Sequence, residues 1–249
     1  MRRGRVIPKT LPWLVLAAAS LLACPALAQE ISVDLSDDNA LSARIVQLFL
    51  AITVLSLAPG LAVMVTCFPF MLIVLSLLRQ ALGLQSAPPN MMIVSLAMFL
   101  TYFVMEPTFT AAWANGISPL LDGDISEAQA FERASAPFRA FMESRVDVGV
   151  IDELAASMPG RFERLDEEAP LSLLMPSFML SEIQRGFEIG FMVFLPFLVI
   201  DLVVASILMG MGMMMVPPAV VALPFKLAFF VVADGWSLLA GALVRGYAP

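Results

Sequence analysis

Residues Ile45 to Leu78 form a thirty-four-residue stretch of almost wholly apolar positions, longer than the roughly 20 residues one upright helix needs to cross a bilayer. Pro59-Gly60 and Pro69 interrupt it, so it reads as a broken or kinked helical element ending at Arg79, with Pro59 and Gly60 as a hinge. The turn from Gly83 to Asn90 leads into a second apolar run, Met91 to Met105, which ends at Glu106-Pro107. Together these predict a helical hairpin over residues 45–112. A third run, Ile189 to Met215, and a fourth, Leu223 to Val244, joined by Val216 to Phe225, predict a second hairpin within residues 171–249.

Between the hairpins the pattern changes. From Trp113 to Pro170 there are twelve acidic and five basic residues, punctuated by Pro119, Pro137, Pro159 and Pro170. Phe131, Phe138, Phe141 and Met142 recur at helix-like spacing, which predicts one or two amphipathic helices in a solvated segment over 113–170. At the other end of the chain, Arg2, Arg3, Arg5 and Lys9 precede an apolar stretch, and Ala26-Leu27-Ala28 fits a small-residue cleavage site. Residues 1–28 therefore read as a secretory signal peptide, with 29–44 a short segment outside the cytoplasm. A lipid-modified Cys24 within Leu21-Leu22-Ala23-Cys24 is the competing reading, although Leu22 and Pro25 fit it poorly.

Composition agrees with a membrane setting: 60% of the 249 residues are hydrophobic and 14% charged, against roughly 45 to 50% apolar content in soluble domains. The expected fold class is an all-α membrane-associated protein, two long kinked helical hairpins with an acidic, partly helical periplasmic segment between them. Loss of residues 1–28 would move the formal charge from −7 to −11, which argues against nucleic acid or anionic lipid as partners. It would also leave Cys67 as the single cysteine, excluding an internal disulfide. There is no histidine, no GxxxxGK loop and no GxSxG elbow, so neither an enzyme nor a metal or cofactor site is expected.

Two kinds of residue stand out in the second hairpin. Met209-Gly-Met-Gly-Met-Met-Met-Val-Pro-Pro218 sets Met209, Met211, Met213, Met214 and Met215 among Gly210 and Gly212 and before Pro217-Pro218. Unbranched thioethers repack around varied shapes, while glycine and proline loosen and stop helices, so the segment reads either as gap-filling packing or as a deformable turn. The other kind is charge where lipid should be. Asp201 lies mid-run, Lys226 and Asp234 repeat the problem in the fourth element, and Glu182, Arg185 and Glu188 sit at i, i+3 and i+6 ahead of the third. A carboxylate facing lipid costs about 2.5 to 3.5 kcal/mol, so these groups must meet protein, water or a partner chain. Asp201 with Lys226, within or between protomers, is the natural pair, and Ser206 with Gly210 supplies a small-residue packing face.

The ordered strings Met175-Pro-Ser-Phe-Met-Leu-Ser-Glu-Ile-Gln184, Leu195-Pro-Phe-Leu-Val-Ile-Asp201, Gly212-Met-Met-Met-Val-Pro-Pro218, Leu223-Pro-Phe-Lys226 and Asp234-Gly-Trp236, with Leu77-Leu-Arg79, Pro88-Pro-Asn90 and Phe99 to Met105 in the first hairpin, resemble the FliP family of flagellar export-gate proteins. The resemblance covers about residues 45–110 and 171–240. It implies a homo-oligomer, a pentamer, assembled with FliQ and FliR above the FlhA and FlhB export components, in the bacterial inner membrane and flagellar basal body and projecting to the periplasmic side. It implies a channel for unfolded flagellar substrates, with Met213, Met214 and Met215 as a gasket and Met209 and Met211 in support. The family pattern leads one to expect Thr-Arg after Cys67-Phe68, where this chain has Pro69-Phe70. Virulence injectisome subunits share the core but usually lack a cleaved signal peptide, which favours the flagellar branch. An ion-coupled transporter using Glu188, Asp201, Lys226 and Asp234 is the rival from another class; it would lead one to expect matched internal repeats, and the hairpins share no such symmetry.

Overall fold

The structure, a computed structural model, describes residues 38–84, 87–160, 162, 169–213 and 215–247. The signal sequence, Cys24 and Met214 lie outside the described residues. Residues Met1–Ser56 and Leu57–Pro249 form separate compact units. In the first, the described part belongs to helix α1 (Asp38–Met64), whose side chains at Ile45, Leu48, Phe49 and Ile52 are exposed. The described residues contain helices and no strand.

The broken first element is present, but its break lies elsewhere than expected. α1 runs through Pro59 and Gly60 to Met64, and the interruption falls at residues 65–67. One missing N–H donor does not end an apolar helix of this length. Helix α2 (Phe68–Ala81) then starts with Pro69 in its first turn, where a proline's missing N–H costs nothing. Phe70, Met71, Val74, Leu75 and Leu78 give α2 a buried face, and Arg79 closes the following turn by donating to Asn90 Oδ1 and to the Pro88 carbonyl.

Helix α3 (Asn90–Ala112) passes through Pro107 instead of stopping there. A π-helical turn, Trp113–Ile117, joins it to the short α4 (Ser118–Leu121). In the acidic segment, α5 (Glu127–Arg145) opens with a reciprocal cap between Ser126 and Gln129, and Asp147 accepts from Gly149 N at 2.7 Å to start α6 (Val148–Ala156). Met142 is buried and Phe138 and Phe141 are half-buried, as the spacing predicts, but Phe131 is exposed. The π turn rests on Ala130 and Ala134 of α5.

Helix α7 (Leu171–Gly210) is one forty-residue helix, about 60 Å long at 1.5 Å per residue. The third apolar run is thus only its second part, and Glu182 to Glu188 lie mid-helix, not at a helix entry. The last element divides into α8 (Pro218–Val232) and α9 (Gly235–Arg245), bent by 62°. Among the described residues, Asn90–Leu121 and Leu171–Gly210 are long and apolar enough to cross a bilayer, and the α8–α9 pair makes a third if taken as one span.

The core surrounds α2. Met71, Val74, Leu75 and Leu78 pack with Ile93, Ala97 and Leu100 of α3, Phe197 of α7, Phe230 of α8 and Leu239 and Leu243 of α9. Gly186 and Gly190 let α7 approach α2 closely. A Cβ on Gly186 would sit 3.3 Å from the Ile73 side chain, and one on Gly190 would overlap Leu77. This is a small-residue pair at i, i+4 receiving an i, i+4 pair from α2. The expected pair, Ser206 and Gly210, is not used in this way: Ser206 is exposed and a Cβ on Gly210 would meet nothing within 4 Å.

Candidate functional site

The methionine turn follows directly from its glycines and prolines. Gly212 adopts φ +75°, the left-handed conformation that only glycine takes without strain. Gly212 N donates to Met209 O at 3.0 Å and Met213 N to Leu208 O at 2.9 Å, which satisfies the orphan carbonyls of α7 in a Schellman arrangement. Gly212 therefore ends α7. The proline pair, expected to stop that helix, instead starts the next one, with Pro217 at the cap and Pro218 in the first turn of α8. Gly210 lies in the last turn of α7 and is not itself a break.

Between these caps Met209, Met211 and Met213 are 40 to 60% exposed and Met215 is 97% exposed. Beneath Met211 lies an open, wholly apolar groove of about 430 Å³ between α7 and α8, lined by Val199, Val203, Ile207, Val221 and Phe225. Methionines packed as core filler would be covered; these are not.

Lys226, only 5% exposed, ties three elements together. Its Nζ lies 2.6 Å from Asp201 Oδ2 on α7 and donates at 2.9 Å to the carbonyl of Ala81, at the C-terminus of α2. A cation there also meets the negative end of the helix. Asp201 Oδ1 is buried and lacks a hydrogen-bond partner. The expected Asp201–Lys226 pair thus forms within one chain. Leu223 also reaches Gly83, 3.5 Å from where a Cβ would stand, so the two hairpin turns lie side by side.

Glu182 is fully buried. Arg185 Nη1 approaches its Oε1 at 3.5 Å, as the i, i+3 spacing predicts, but two further groups complete the site. Arg145, at the end of α5, places Nε 3.6 Å from the same oxygen, and the Tyr247 hydroxyl donates to Oε2. Arg145 also lies over the Tyr247 ring at 4.1 Å and donates to Gly246 O at 3.0 Å. Phe141 stacks on the same ring and Phe70 meets it edge-on at 5.4 Å. Burial pushes the Tyr247 hydroxyl well above the usual tyrosine range, and the carboxylate beside it adds to the effect, so the phenol stays protonated as the donor. Phe70, where the family resemblance leads one to expect arginine, thus serves as one wall of the Tyr247 pocket.

The other two charges are not buried within the chain. Glu188 is exposed and accepts from Gln184 at 3.3 Å. Asp234 is exposed at the α8–α9 bend. Both lie on outward faces because the adjoining buried positions are filled by Gly186 and Gly190 in α7 and by Gly235 at the bend. Arg145 and Tyr247 carry no sequence signal of their own; they lie in the acidic segment and beyond the last apolar run, and only folding brings them to Glu182.

The model of the FliP family matches residues 51–243. A flagellar biosynthetic protein FliP of Agrobacterium fabrum is 49% identical, with 92% of this chain and 96% of the relative covered. One of Caulobacter vibrioides is 48% identical over 99% of this chain and 92% of the relative. One of Bacillus subtilis is 42% identical over 81% of this chain and 91% of the relative.

Proposed function

The chain belongs to the FliP family, and from that premise we propose that it is a pore-forming subunit of the flagellar type III protein export gate. It is a non-enzymatic, membrane-embedded component of the flagellar export apparatus. In the proposed assembly several copies, five by family resemblance, converge with FliQ and FliR above FlhA and FlhB in the inner membrane. Unfolded flagellar proteins pass through the axis toward the periplasmic side.

The observation that carries this reading is the methionine turn. Met209, Met211, Met213 and Met215 project from the end of a forty-residue helix whose first half is firmly held, and they stay exposed among the described residues. Copies arranged about an axis would bring these thioethers together, closing the idle pore to ions and deforming around passing chains of varied sequence. Met214 takes part by its place in the run. The groove beneath Met211 suits an apolar surface of a neighbouring subunit.

The transporter reading gains no support from the charges. Asp201 is paired with Lys226 through Oδ2, Glu188 is bonded by Gln184 on an exposed face, and Asp234 stands at a separate bend. These are discrete sites, not a relay.

Replacing Met213, Met214 and Met215 together with alanine is expected to raise ion conductance of membranes holding the assembled complex, without loss of assembly. Unchanged conductance in correctly assembled mutant complexes would overturn the gasket.

A further inference from the structure

The two ends of α5 are attached to the helical body by different means. At its start, Gly116 of the π turn rests on Ala130 and Ala134 so closely that a Cβ there would overlap them. At its end the chain turns into α6 within residues 145–147, and this corner is fixed to a single turn of α7. Arg145 Nε lies 3.6 Å from Glu182 Oε1, and Asp147 N donates to Ser181 Oγ at 3.0 Å. The far end of the chain also holds Arg145: its Nη1 donates to the Gly246 carbonyl at 3.0 Å, and its guanidinium lies over the Tyr247 ring at 4.1 Å.

A buried ion pair is stable only where the remaining bonding capacity of its partners is satisfied. Glu182 is wholly buried, and its carboxylate accepts from Arg185, at 3.5 Å, and from the Tyr247 hydroxyl. Arg145 Nε makes no hydrogen bond, so its place beside Glu182 depends on charge attraction and on the ring beneath its guanidinium. That ring also stacks on Phe141 of α5 at 6.1 Å and meets Phe70 of α2 edge-on. One side chain beyond the last helix therefore touches α5, α7 and α2 together.

We propose that Tyr247 is a positioning residue that clasps the α5–α6 corner onto α7, so that the acidic segment and the forty-residue helix move as one body. The hydroxyl completes the buried carboxylate, and the ring holds the arginine that pairs with it. From Ser181 to Met209 is about 42 Å along α7 at 1.5 Å per residue, so a continuous helix carries the position of the acidic segment to the methionine turn. That consequence for the gate rests on the pore reading; the clasp itself does not.

Spin labels on Val148→Cys and Met215→Cys, at positions 69% and 97% exposed, measure the separation of the two regions in the full chain in phosphatidylcholine nanodiscs, with Cys24 replaced by serine and Cys67 left fully buried. The parent should give one narrow distance distribution. Tyr247→Phe keeps the ring and removes only the bond to Glu182, and should broaden the distribution; Tyr247→Leu removes both and should broaden it further. Ile93→Ala, in the core around α2, should lower thermal stability yet leave the distribution narrow, which separates positioning from general weakening. A narrow distribution in Tyr247→Leu, or equal broadening by Ile93→Ala, would overturn the proposal. Broadening in Tyr247→Leu alone would overturn the part given to the hydroxyl; if that variant does not fold, a narrow distribution in Tyr247→Phe overturns the clasp. In assembled complexes with the methionines intact, Tyr247→Phe should change ion conductance. If alanine at the three methionines raises conductance and Tyr247→Phe leaves it unchanged, the link to the gate falls and the pore reading stands. If neither changes it, the pore reading falls and the spin-label distances still decide the clasp.

Discussion

The two ends of α7 belong to one continuous helix yet are held in opposite ways. In its first half Leu174, Phe178, Glu182, Gly186 and Gly190 form a buried ladder at four-residue spacing. From Phe178 onward, successive rungs meet Phe141, the Arg145–Tyr247 pair, Ile73 and Leu77. Beyond Leu198 the buried positions dwindle to Val204 and Leu208, while Val199, Leu202, Val203, Ile207 and Met209 are exposed. A rigid helix fixed at one end transmits position to the other, so a held base and an uncovered tip place soft side chains without immobilising them.

Removing the charge at the base should have the largest effect. Glu182→Ala leaves Arg145 and Arg185 without their shared carboxylate and the Tyr247 hydroxyl without its acceptor. Losing one partner of a buried ionic cluster costs about 3 to 5 kcal/mol. Thermal unfolding of the detergent-solubilised chain should show a marked fall, and hydrogen exchange should quicken along α5 and the first half of α7. Protection confined to the methionine end would contradict the assignment of the held half.

The helix contact comes next. Gly190→Ala forces a methyl group into the Leu77 side chain, and overpacking of this kind costs about 1 to 3 kcal/mol. Gly210→Ala is the matched control at the free end, where a Cβ meets nothing within 4 Å; it should be neutral or slightly stabilising, as alanine favours a helix over glycine by about 0.5 to 1 kcal/mol. Equal losses at Gly190 and Gly210 would erase the distinction between the two ends.

Much of this difference was legible from residue types. The apolar runs located the helices, the mid-run position of Asp201 and Lys226 called for a pair, and the glycine-methionine-proline order marked a turn. The held half was less legible, for two physical reasons. Glu182 to Glu188 look like a solvated helix entry because a single sequence does not display burial, and two of the groups that hold Glu182, Arg145 and Tyr247, come from other elements, Tyr247 being sixty-five residues away. Small-residue pairs are also ambiguous: Ser206 with Gly210 and Gly186 with Gly190 have the same spacing, and only the position of α2 decides which is used. Residue types do not tell which residue terminates α7, because glycine and proline both punctuate helices, and φ +75° at Gly212 is visible only in the backbone.

A smaller effect is expected at that terminator. Gly212→Ala forces a Cβ into the left-handed region, at a cost of about 1 kcal/mol. Space is not the obstacle, since nothing lies within 4 Å of the added atom. The loss should therefore be modest in thermal unfolding and should leave exchange in the held half of α7 unchanged. A loss as large as that of Glu182→Ala would mean that the turn is packed more firmly than its exposure indicates.

The smallest change in stability, and the sharpest probe of softness, is Met213, Met214 and Met215 to leucine. Leucine conserves volume and hydrophobicity, and such swaps usually cost less than about 1.5 kcal/mol even in cores; with Met215 97% exposed, the expected change in this chain is within about 0.5 kcal/mol. Leucine lacks the unbranched thioether chain that lets methionine adopt many shapes. If the turn is a gasket, the leucine variant should seal an idle complex as well as methionine does, because the apolar volume is kept, while secretion of flagellar subunits into the medium slows because the seal yields less readily. Ion leakage with normal secretion would mean that methionine matters for closing the pore and not for deforming around cargo. Wild-type leakage and secretion together would return the methionines to the role of interchangeable apolar surface.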